Sequence, residues 1–399
     1  MEQVLLYAAL ALKLFTVYFA VVFLLGALKK TPVIPRHAPE TRFAVVIAAR
    51  NEGAVIGGLV RSLRRQDYPA ELCDVYVAPN NCTDDTAARA AAAGARVFLP
   101  QGTVTCKGDA LSQVFDHLMG EEYDAFLVFD ADNVVDPQFL QRCNDAFCAG
   151  ARVVKGRHLA QRPESHWLAG CYDIYFRAFD FLFNRPRAAL GLSCKLVGTG
   201  FGFRREVLAE LGGWSTGTIA EDAEFSAHCA ARGIRVTWVP EARTYDEQPG
   251  TFRQSLIQRR RWCSGVMQVA QKEAPALIRG SGDVRFRRDM TCFLLTPYAQ
   301  AFSFLLTAAA TLLSLPAGGV TLDGVALTAL GAYGGLCLAA LALLRLTGGW
   351  KAGMGRAVLM FPVFMATWMP LQLLALVKKT AQWRAIPHTA RMSSAAAAD

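Results

Sequence analysis

The sequence predicts an α/β fold with a parallel, doubly wound sheet that is flanked at both ends by apolar helices. Short apolar runs at residues 43–49, 75–78, 96–99 and 125–129 alternate with helical segments, and strands that alternate with helices usually pair in parallel. Polar clusters follow the first, second and fourth runs, so we expect them to meet at one edge of the sheet. The second half is less regular, with strands expected at 153–157, 197–204 and 234–239 and helices at 167–183, 221–233 and 252–268.

Four apolar segments are long enough to cross a membrane, at residues 4–28, 290–315, 324–344 and 357–377. About 25 helical residues reach ~37 Å, against a hydrocarbon core of ~30 Å. The chain is 53% hydrophobic, above the ~45–50% of soluble proteins. The first segment lacks the basic start and the cleavage site of a signal peptide, so we expect an uncleaved anchor with its amino terminus outside.

Positive charge indicates which side of the membrane the central part of the chain faces. The net charge is +9, and residues 251–290 hold nine Lys/Arg against three Asp/Glu. A basic collar beside a membrane normally faces the cytoplasm and its anionic lipids. We therefore predict a multi-pass cell-membrane protein with a cytoplasmic domain. Nucleic-acid binding is disfavoured because the basic stretch adjoins a membrane span.

The orientation of the carboxyl terminus stays open. Four crossings place it outside, whereas its basic residues Lys378, Lys379, Arg384 and Arg391 favour the inside. A last helix lying in the membrane interface would resolve the conflict, since Pro362 and Pro370 weaken a straight span. The predicted organisation is a transmembrane helix at 1–30, a cytoplasmic domain at 31–250, interfacial helices at 251–289, transmembrane helices at 290–378 and a tail at 379–399.

Two carboxylates close the most apolar of the predicted strands. Asp130 and Asp132 follow residues 125–129, and side chains at i and i+2 of an extended chain lie on the same side. Such a pair suits a divalent cation with oxygen ligands, which can also hold a diphosphate. An Asp-rich turn at a strand end is an equally good interpretation of the motif alone.

Three further segments combine charge, glycine or aromatic residues in unusual ways. The run 197–204 holds Gly198, Thr199 and Gly200, which indicates either close approach of a ligand or a tight bend. Glu221 and Asp222 begin a helix, where acids are also common as complements to the helix dipole. The segment 258–262 carries a Gln, three Arg and a Trp, and a solvated basic face is its alternative.

Taken together, these motifs resemble the membrane-embedded family 2 glycosyltransferases of GT-A fold, which include cellulose, chitin, hyaluronan and poly-N-acetylglucosamine synthases. The motifs that carry the resemblance are Asn80 to Asp84, Asp130-Ala-Asp132, Ala220-Glu221-Asp222 and Gln258-Arg-Arg-Arg261-Trp262. The resemblance implies a Rossmann-like GT-A domain in the cytoplasm with flanking transmembrane and interfacial helices. Asn80 stands where the family usually carries Asp, although an amide can also pair with a uracil edge.

The resemblance also implies an inverting transfer from a UDP-sugar, UDP-GlcNAc or UDP-glucose, to a growing β-linked polysaccharide. Asp222 is then the catalytic base, with Glu221 beside it, and Asp130 and Asp132 hold Mn²⁺ or Mg²⁺. The nucleotide contacts are Asn51, Glu52, Asn80, Asp84, Lys107, Asp130 and Arg261. The acceptor contacts are Gly198, Thr199, Gly200, Gln258 and Trp262. The segment Trp383 to His388 resembles a gating segment of some relatives.

Two alternatives stay open. Transfer of one sugar to a glycolipid or lipid acceptor, as in ceramide glucosyltransferase-like proteins, uses nearly all the same motifs. A transporter or scaffold with a nucleotide-binding domain needs neither Asp222 nor Trp262, and the chain lacks the phosphate loop of a transport ATPase. A dinucleotide-dependent dehydrogenase is disfavoured because no Gly-x-Gly-x-x-Gly follows the first strand. Four spans are few for a polysaccharide channel, so polymer export would require a membrane partner or a homo-oligomer.

Overall fold

The computed structural model describes residues 2–314 and 321–378. Within these ranges one mixed sheet of eight strands forms the centre of the domain between the apolar ends, in the order β3-β2-β1-β4-β7-β6-β8-β5. The strands are β1 (Phe43–Ala49), β2 (Cys73–Pro79), β3 (Arg96–Val97), β4 (Ala125–Phe129), β5 (Asn133–Val135), β6 (Val153–Ala160), β7 (Phe201–Arg204) and β8 (Val236–Asp246).

The four strands from which a parallel sheet was predicted are parallel, although the complete sheet is mixed. Strands β3, β2, β1 and β4 are parallel, but β7 runs antiparallel to both β4 and β6. The parallel arrangement predicted from the first four strands is thus confirmed, and β6 and β8 are parallel as well, but β7 and β5 make the whole sheet mixed. A short apolar strand that is buried on both faces has the same composition in either direction, so its sequence does not indicate its orientation.

The strand boundaries differ from prediction mainly around the edge where the motifs meet. Residues 197–200 form a loop before β7, in which Gly198 and Gly200 both have positive φ. Strand β8 extends to Asp246, beyond the predicted end at 239, and pairs with a short strand, β5, that the sequence did not predict. This pairing fixes the segment that directly follows Asp132.

Helices cover both faces of the sheet and continue into the apolar ends. They are α1 (Glu2–Ala27), α2 (Ile56–Arg64), α3 (Thr86–Ala92), α4 (Lys107–Leu118), α5 (Phe139–Cys148), α6 (Trp167–Phe179), α7 (Arg185–Leu190), α8 (Arg205–Leu211), α9 (Glu221–Arg232), α10 (Phe252–Arg279), α11 (Val284–Ser314), α12 (Leu322–Leu346), α13 (Gly355–Ala366) and α14 (Trp368–Val377). A π-helical turn, Asp180–Asn184, joins α6 to α7.

The alternation of side chains along the central strands divides the core into two layers. Phe43, Val45 and Ile47 of β1 pack with helices α2 and α5 on one face. Ala44 and Val46 of the same strand pack with α4, α8 and α9 on the other. Because β1 is buried on both faces, its ends are held rigidly. The loops at its carboxyl edge can therefore carry functional side chains.

Four helical stretches of the described residues are long and apolar enough to cross a membrane: Gln3–Ala27, Val284–Ser314, Leu322–Leu346 and Gly355–Val377. These match the predicted spans, although the second begins at Val284 rather than at residue 290. The fourth consists of α13 and α14, which meet at Thr367. The tail at 379–399, with the predicted gating segment, lies outside the described residues.

A buried ion cluster joins the apolar helices to the domain. Asp289 of α11 accepts hydrogen bonds from Arg187 of α7 at 2.8 Å and from Tyr18 of α1 at 2.8 Å. Lys195 lies 2.9 Å from the same carboxylate. Because charged groups are costly to bury unless they are paired, this cluster holds α1 and α11 at a defined position against the domain.

Candidate active site

The loop after β4 carries Asp130 and Asp132 and is fixed from beneath by hydroxyl groups. The backbone N–H of Asp130 donates to Thr199 Oγ1 at 3.0 Å. The Thr199 hydroxyl in turn donates to Asn133 Oδ1, which also accepts from Thr244 Oγ1 at 3.2 Å. These bonds hold the loop through its backbone and through Asn133. Both carboxylates are left at the surface of a cavity.

Lys107 connects the two acidic motifs. Its Nζ lies 2.6 Å from Asp130 Oδ1 and 2.5 Å from Glu221 Oε1. Burial alone would raise the pKa of Asp130, but the neighbouring ammonium outweighs it and holds that pKa below its usual value. The same two carboxylates overcome the burial of Lys107 and raise its pKa. At neutral pH the site therefore holds a charged lysine between two carboxylates.

Asp222 lies in the first turn of α9, beside the glycine loop. One of its oxygens accepts the backbone N–H of Gly198, and the positive φ of Gly198, 65°, is a conformation that favours glycine. Burial and the charge of Glu221 together raise the pKa of Asp222 to about 6, although the Gly198 bond opposes this shift. A carboxylate with such a pKa can accept a proton near neutral pH.

The glycine loop has a buried support that the sequence analysis missed. Lys155 of β6 is 2% exposed, and its Nζ donates to the backbone oxygen of Thr199 at 2.6 Å. Burial lowers its pKa to about 8, although the charges of Asp180 and Asp222 oppose this shift. A lysine that directly follows two buried valines in a strand was the available signal, because lysine is almost never fully buried without a partner.

One cavity of about 1060 Å³ runs from the acidic motifs to the apolar helices. We call its two regions the polar end and the membrane arm. The polar end is lined by Glu52, Asn80, Lys107, Asp130, Asp132, Glu221 and Asp222. The membrane arm is lined by Thr16, Phe19, Ala20 and Phe23 of α1, by Phe293, Thr296, Pro297 and Gln300 of α11, and by Trp368 and Gln372 of α14.

Helix α10 contributes Gln258, Arg261 and Trp262 to the cavity between these two regions. The Trp262 ring packs edge-on against Tyr172 and lies parallel to Trp368, with ring centroids 6.2 Å apart. Arg259, between the cavity residues, does not form the solvated face that a basic run suggests. It is fully buried and donates to the Phe364 carbonyl at 2.8 Å.

Two of the predicted nucleotide contacts are not among the residues that line the cavity. Asp84 accepts the backbone N–H of Gly53 at 3.0 Å. Asn51 has a positive φ of 57°, and its side chain accepts the N–H of Thr83 at 2.8 Å. Both residues join the loops after β1 and β2, and these loops carry Glu52 and Asn80.

Two of the predicted acceptor contacts are also outside the cavity lining. Thr199 is 1% exposed and bonded to the loop after β4. Gly200 donates its N–H to Val128 at 3.0 Å, and a β-carbon at this position would lie 2.7 Å from Thr244. Gly198 alone of the three lines the cavity. The geometry therefore gives Thr199 and Gly200 a supporting position beneath Asp130.

A histidine and a carboxylate that the sequence analysis did not identify also line the cavity. His158 Nε2 lies 2.8 Å from Asp246 Oδ2, and the imidazole stacks on Phe176 with centroids 4.0 Å apart. These residues lie near the carboxyl ends of β6 and β8, which are paired in parallel. Their proximity follows from the strand pairing, so no local sequence pattern predicts it.

A second acidic cluster, Glu224, His228 and Glu273, lies on α9 and α10 with its possible ligand atoms within 4.8 Å of one another. Glu224 already accepts the N–H groups of Gly217 and Thr218, at 3.0 and 2.7 Å, and pairs with Lys272. These protein donors satisfy the carboxylate. The cluster thus holds the cavity-lining segment 217–218 against α9.

Comparison with solved structures supports the fold. The mannosyltransferase PcManGT from Pyrobaculum calidifontis, determined in complex with GDP-Man and Mn²⁺, is similar with a TM-score of 0.63 and 20% sequence identity. The similarity covers 91% of this chain and 99% of that one. At this identity the likeness shows the fold, and it confirms the predicted GT-A domain with flanking helices.

Comparison with curated proteins identifies relatives of similar sequence. Beta-monoglucosyldiacylglycerol synthase from Nostoc sp. is 29% identical over 266 residues, which cover 64% of this chain and 55% of the relative. The catalytic subunit of cellulose synthase 1 from Komagataeibacter xylinus is 25% identical over 54% of this chain and 29% of that protein. The chain thus spans about half the length, or less, of these curated relatives.

A family model covers the domain that contains the site. The model described as "Glycosyltransferase like family 2" matches residues 39–265, more than half of the chain. The matched range contains Asp130, Asp132, Asp222, Arg261 and Trp262, and it ends within α10. The chain belongs to the family 2 glycosyltransferases.

Proposed function

We propose that this protein is a membrane-bound, inverting glycosyltransferase that moves one sugar from a UDP-sugar to the hydroxyl group of a lipid. The observation that carries this proposal is the continuity of the cavity. Its polar end holds the acidic motifs, and its other end is lined by three helices that are apolar enough to cross a membrane. A lipid can thereby present its hydroxyl to the polar end while its chains stay in the membrane arm.

The polar end has the groups that a single displacement requires. As the acceptor oxygen bonds to the anomeric carbon and the bond to UDP breaks, Asp222 takes the proton of the hydroxyl. Its raised pKa suits this exchange. Arg261 would bind the diphosphate as a planar fork, and Lys107 would hold Asp130 and Glu221 in place. Attack from the face opposite UDP inverts the configuration of the sugar.

The residues present fit a divalent cation. Asp130 and Asp132 offer hard carboxylate oxygens at the cavity surface, on a loop that is fixed by the bonds of Thr199 and Asn133. These two residues would hold Mn²⁺ or Mg²⁺, and the ion would neutralise charge on the departing diphosphate. The structural neighbour that was determined with GDP-Man and Mn²⁺ supports this assignment.

Glucose is the first donor to test, because three of the curated relatives are named beta-monoglucosyldiacylglycerol synthases. The neutral lining of the membrane arm supports a neutral lipid as acceptor. We also propose a multi-pass topology with the catalytic domain in the cytoplasm, where nucleotide sugars are made. The basic residues of α10 and the start of α11 support this orientation.

Polymer synthesis is the second candidate, supported by the match to cellulose synthase. The experiment that tests both is a panel of UDP-glucose, UDP-GlcNAc and GDP-mannose with purified full-length protein in lipid vesicles. Release of UDP or GDP and product mass are measured with and without diacylglycerol. One added hexose per lipid supports the proposal, a ladder of products supports polymerisation, and no nucleotide release with any donor overturns both.

A further inference from the structure

A buried lysine connects the apolar helices to the loop beside Asp222. Lys195 precedes Gly198 by three positions, and its Nζ lies 2.9 Å from Asp289 of α11. The lysine side chain is 1% exposed, and lysine is almost never buried so completely without a partner. A carboxylate on a candidate membrane span is thus the partner of a charge in the segment that leads to the polar end of the cavity.

Asp289 is fixed by groups from two further helices. Arg187 of α7 donates to it from Nε at 3.0 Å and from Nη2 at 2.8 Å, and the Tyr18 hydroxyl of α1 donates at 2.8 Å. The carboxylate is fully buried. Because a buried charge that loses its partners is costly, these contacts leave it little freedom to move. The positions of α1 and α11 therefore set the position of the Lys195 ammonium.

The backbone at Lys195 is held as well. Its N–H donates to Asn184 Oδ1 of the π-helical turn at 3.1 Å. The next residue, Leu196, is buried in the core. Only Val197 separates this anchored segment from Gly198, so a displacement of the lysine would be passed along the backbone to the glycine loop.

The Gly198 N–H is the group that reaches Asp222. It donates to Asp222 Oδ2, and both residues line the cavity. A carboxylate that accepts a backbone N–H is held in one orientation and is also stabilised in its ionised form. The position of the glycine loop therefore affects both the direction in which the base points and its affinity for a proton.

We propose that Asp289 and Lys195 are positioning residues for Asp222, so that the docking of α1 and α11 against the domain aligns the base. This inference rests on the proposed function, in which Asp222 takes the proton of the acceptor. Both residues act through the glycine loop and not on the substrate. Phe19, which lines the membrane arm, directly follows Tyr18 in α1. The helix that would contact the lipid is thus also bonded to the cluster that aligns the base.

Lys195→Met tests this role in the full-length protein in lipid vesicles. Met has a similar length, and Asp289 keeps Arg187 and Tyr18 as partners, so the variant should fold. We expect kcat at about pH 8 to fall by about 10-fold or more for lipid transfer and for UDP-sugar hydrolysis, because a misplacement of about 1 Å can cost ~100-fold. UDP affinity, measured by calorimetry, should stay unchanged.

The pH profile separates alignment of the base from a general loss of structure. If the Gly198 N–H no longer reaches Asp222, the ionised carboxylate loses a hydrogen bond, so the acidic limb of kcat/KM should move upward by about 0.5–1 pH unit. Lower stability alone would reduce the amount of active protein and leave the limb in place. The other charged groups that bear on this carboxylate are unchanged in the variant, and they are Glu221 of α9, Lys107 of α4 and Lys155 of β6.

A milder variant and a matched control accompany this test. Tyr18→Phe removes one hydrogen bond to Asp289 from α1 and should lower kcat by about 2- to 5-fold. Lys351→Met is the control. Lys351 also joins the carboxyl-terminal helices to the domain, through Glu164 at 3.1 Å, but within the described residues this pair lies apart from the cavity lining. The control should change neither kcat nor the acidic limb.

The outcomes separate this inference from the function on which it rests. If the wild-type protein neither transfers sugar nor hydrolyses a UDP-sugar, the proposed function fails and the inference fails with it. If the wild-type protein is active, a folded Lys195→Met variant that keeps its kcat or its acidic limb shows that the positioning role is wrong. A lower kcat, a raised acidic limb and an unchanged UDP affinity support the role. If Lys195→Met does not fold, Tyr18→Phe decides by the same measurements.

Discussion

The polar end of the cavity is lined by charged groups on short loops and helix starts, whereas the membrane arm is lined by neutral side chains on long helices. Asp130, Lys107 and Glu221 form a chain of contacts of 2.6 and 2.5 Å. In the arm two neutral amides, Gln372 and Gln300, bond to each other at 2.9 Å. The difference follows from the environment, because charges need compensating partners and a membrane supplies none.

The same comparison predicts which substitutions slow sugar transfer to every acceptor and which slow transfer to a lipid only. Changes at the polar end should slow transfer to a lipid and to water alike, because both reactions break the same bond to UDP. Changes at the arm should slow transfer to a lipid only. Hydrolysis of the UDP-sugar, measured beside lipid transfer, therefore distinguishes the two regions in each experiment below.

Asp222→Asn should have the largest effect. The amide keeps the shape of the carboxylate but cannot take the proton, and loss of a general base typically costs ~10²–10⁴-fold in kcat. UDP affinity should stay near that of the wild-type protein, since Asp222 is assigned no contact with the nucleotide. Steady-state rates and calorimetric UDP binding check both points. A variant that retains most of the wild-type rate would remove Asp222 from the mechanism.

Removal of divalent cations should have the second largest effect on the rate. If Asp130 and Asp132 hold a metal ion, excess chelator should lower lipid transfer and hydrolysis together by ~100-fold or more, from a contribution of several kcal/mol. Addition of Mn²⁺ or Mg²⁺ should restore both rates. The control is the melting temperature, which should show that chelation leaves the protein folded. Full activity in excess chelator would contradict the metal assignment.

The pH dependence should have an acidic limb that Asp222 determines. The base must be ionised, and burial raises its pKa to about 6. Below that pH the protonated fraction grows, so kcat/KM should fall about tenfold per pH unit, and above it the rate should level off. Initial rates between about pH 5 and about pH 8 test this. A profile without a fall on the acidic side would show that another group is the base.

Arg259→Met should have the smallest effect on the chemistry and should act on one region only. Its loss removes two hydrogen bonds, to the Phe364 carbonyl and to Thr367 Oγ1, at a combined cost of ~1–3 kcal/mol in folding free energy. We expect a lower melting temperature and slower lipid transfer, with UDP affinity unchanged. Arg253→Met, on the exposed side of the same helix, is the control and should change none of these quantities.

The GT-A domain was predictable because its signals are local. The run 125–129 is apolar throughout and all five residues are buried in β4. Glu221 begins α9 as expected, and the motif residues on the loops and on α10 line one cavity, apart from Asn51, Asp84, Thr199 and Gly200. Strand composition, helix starts and strand-end carboxylates each act over a few residues, so a single sequence contains them.

The orientation of β7 and the support of the site were not predictable in this way. Lys155 reaches the backbone of Thr199 across 44 positions of the chain, and His158 meets Asp246 across 88. Such contacts depend on which strands become neighbours, and a strand that is buried on both faces fits a parallel or an antiparallel neighbour equally well. Lys155, His158 and Asp246 were therefore missed, although Asp130 was among the predicted site residues.

The sequence by itself determined the fold class, the acidic motifs and the four apolar stretches, because each depends on short-range pattern and composition. Only the tertiary structure decided that Thr16, Gln300 and Trp368 line one cavity with Asp222. These residues come from helices at opposite ends of the chain, and helix packing is set by the sum of many weak contacts and by buried clusters such as that of Asp289. No local pattern contains that information.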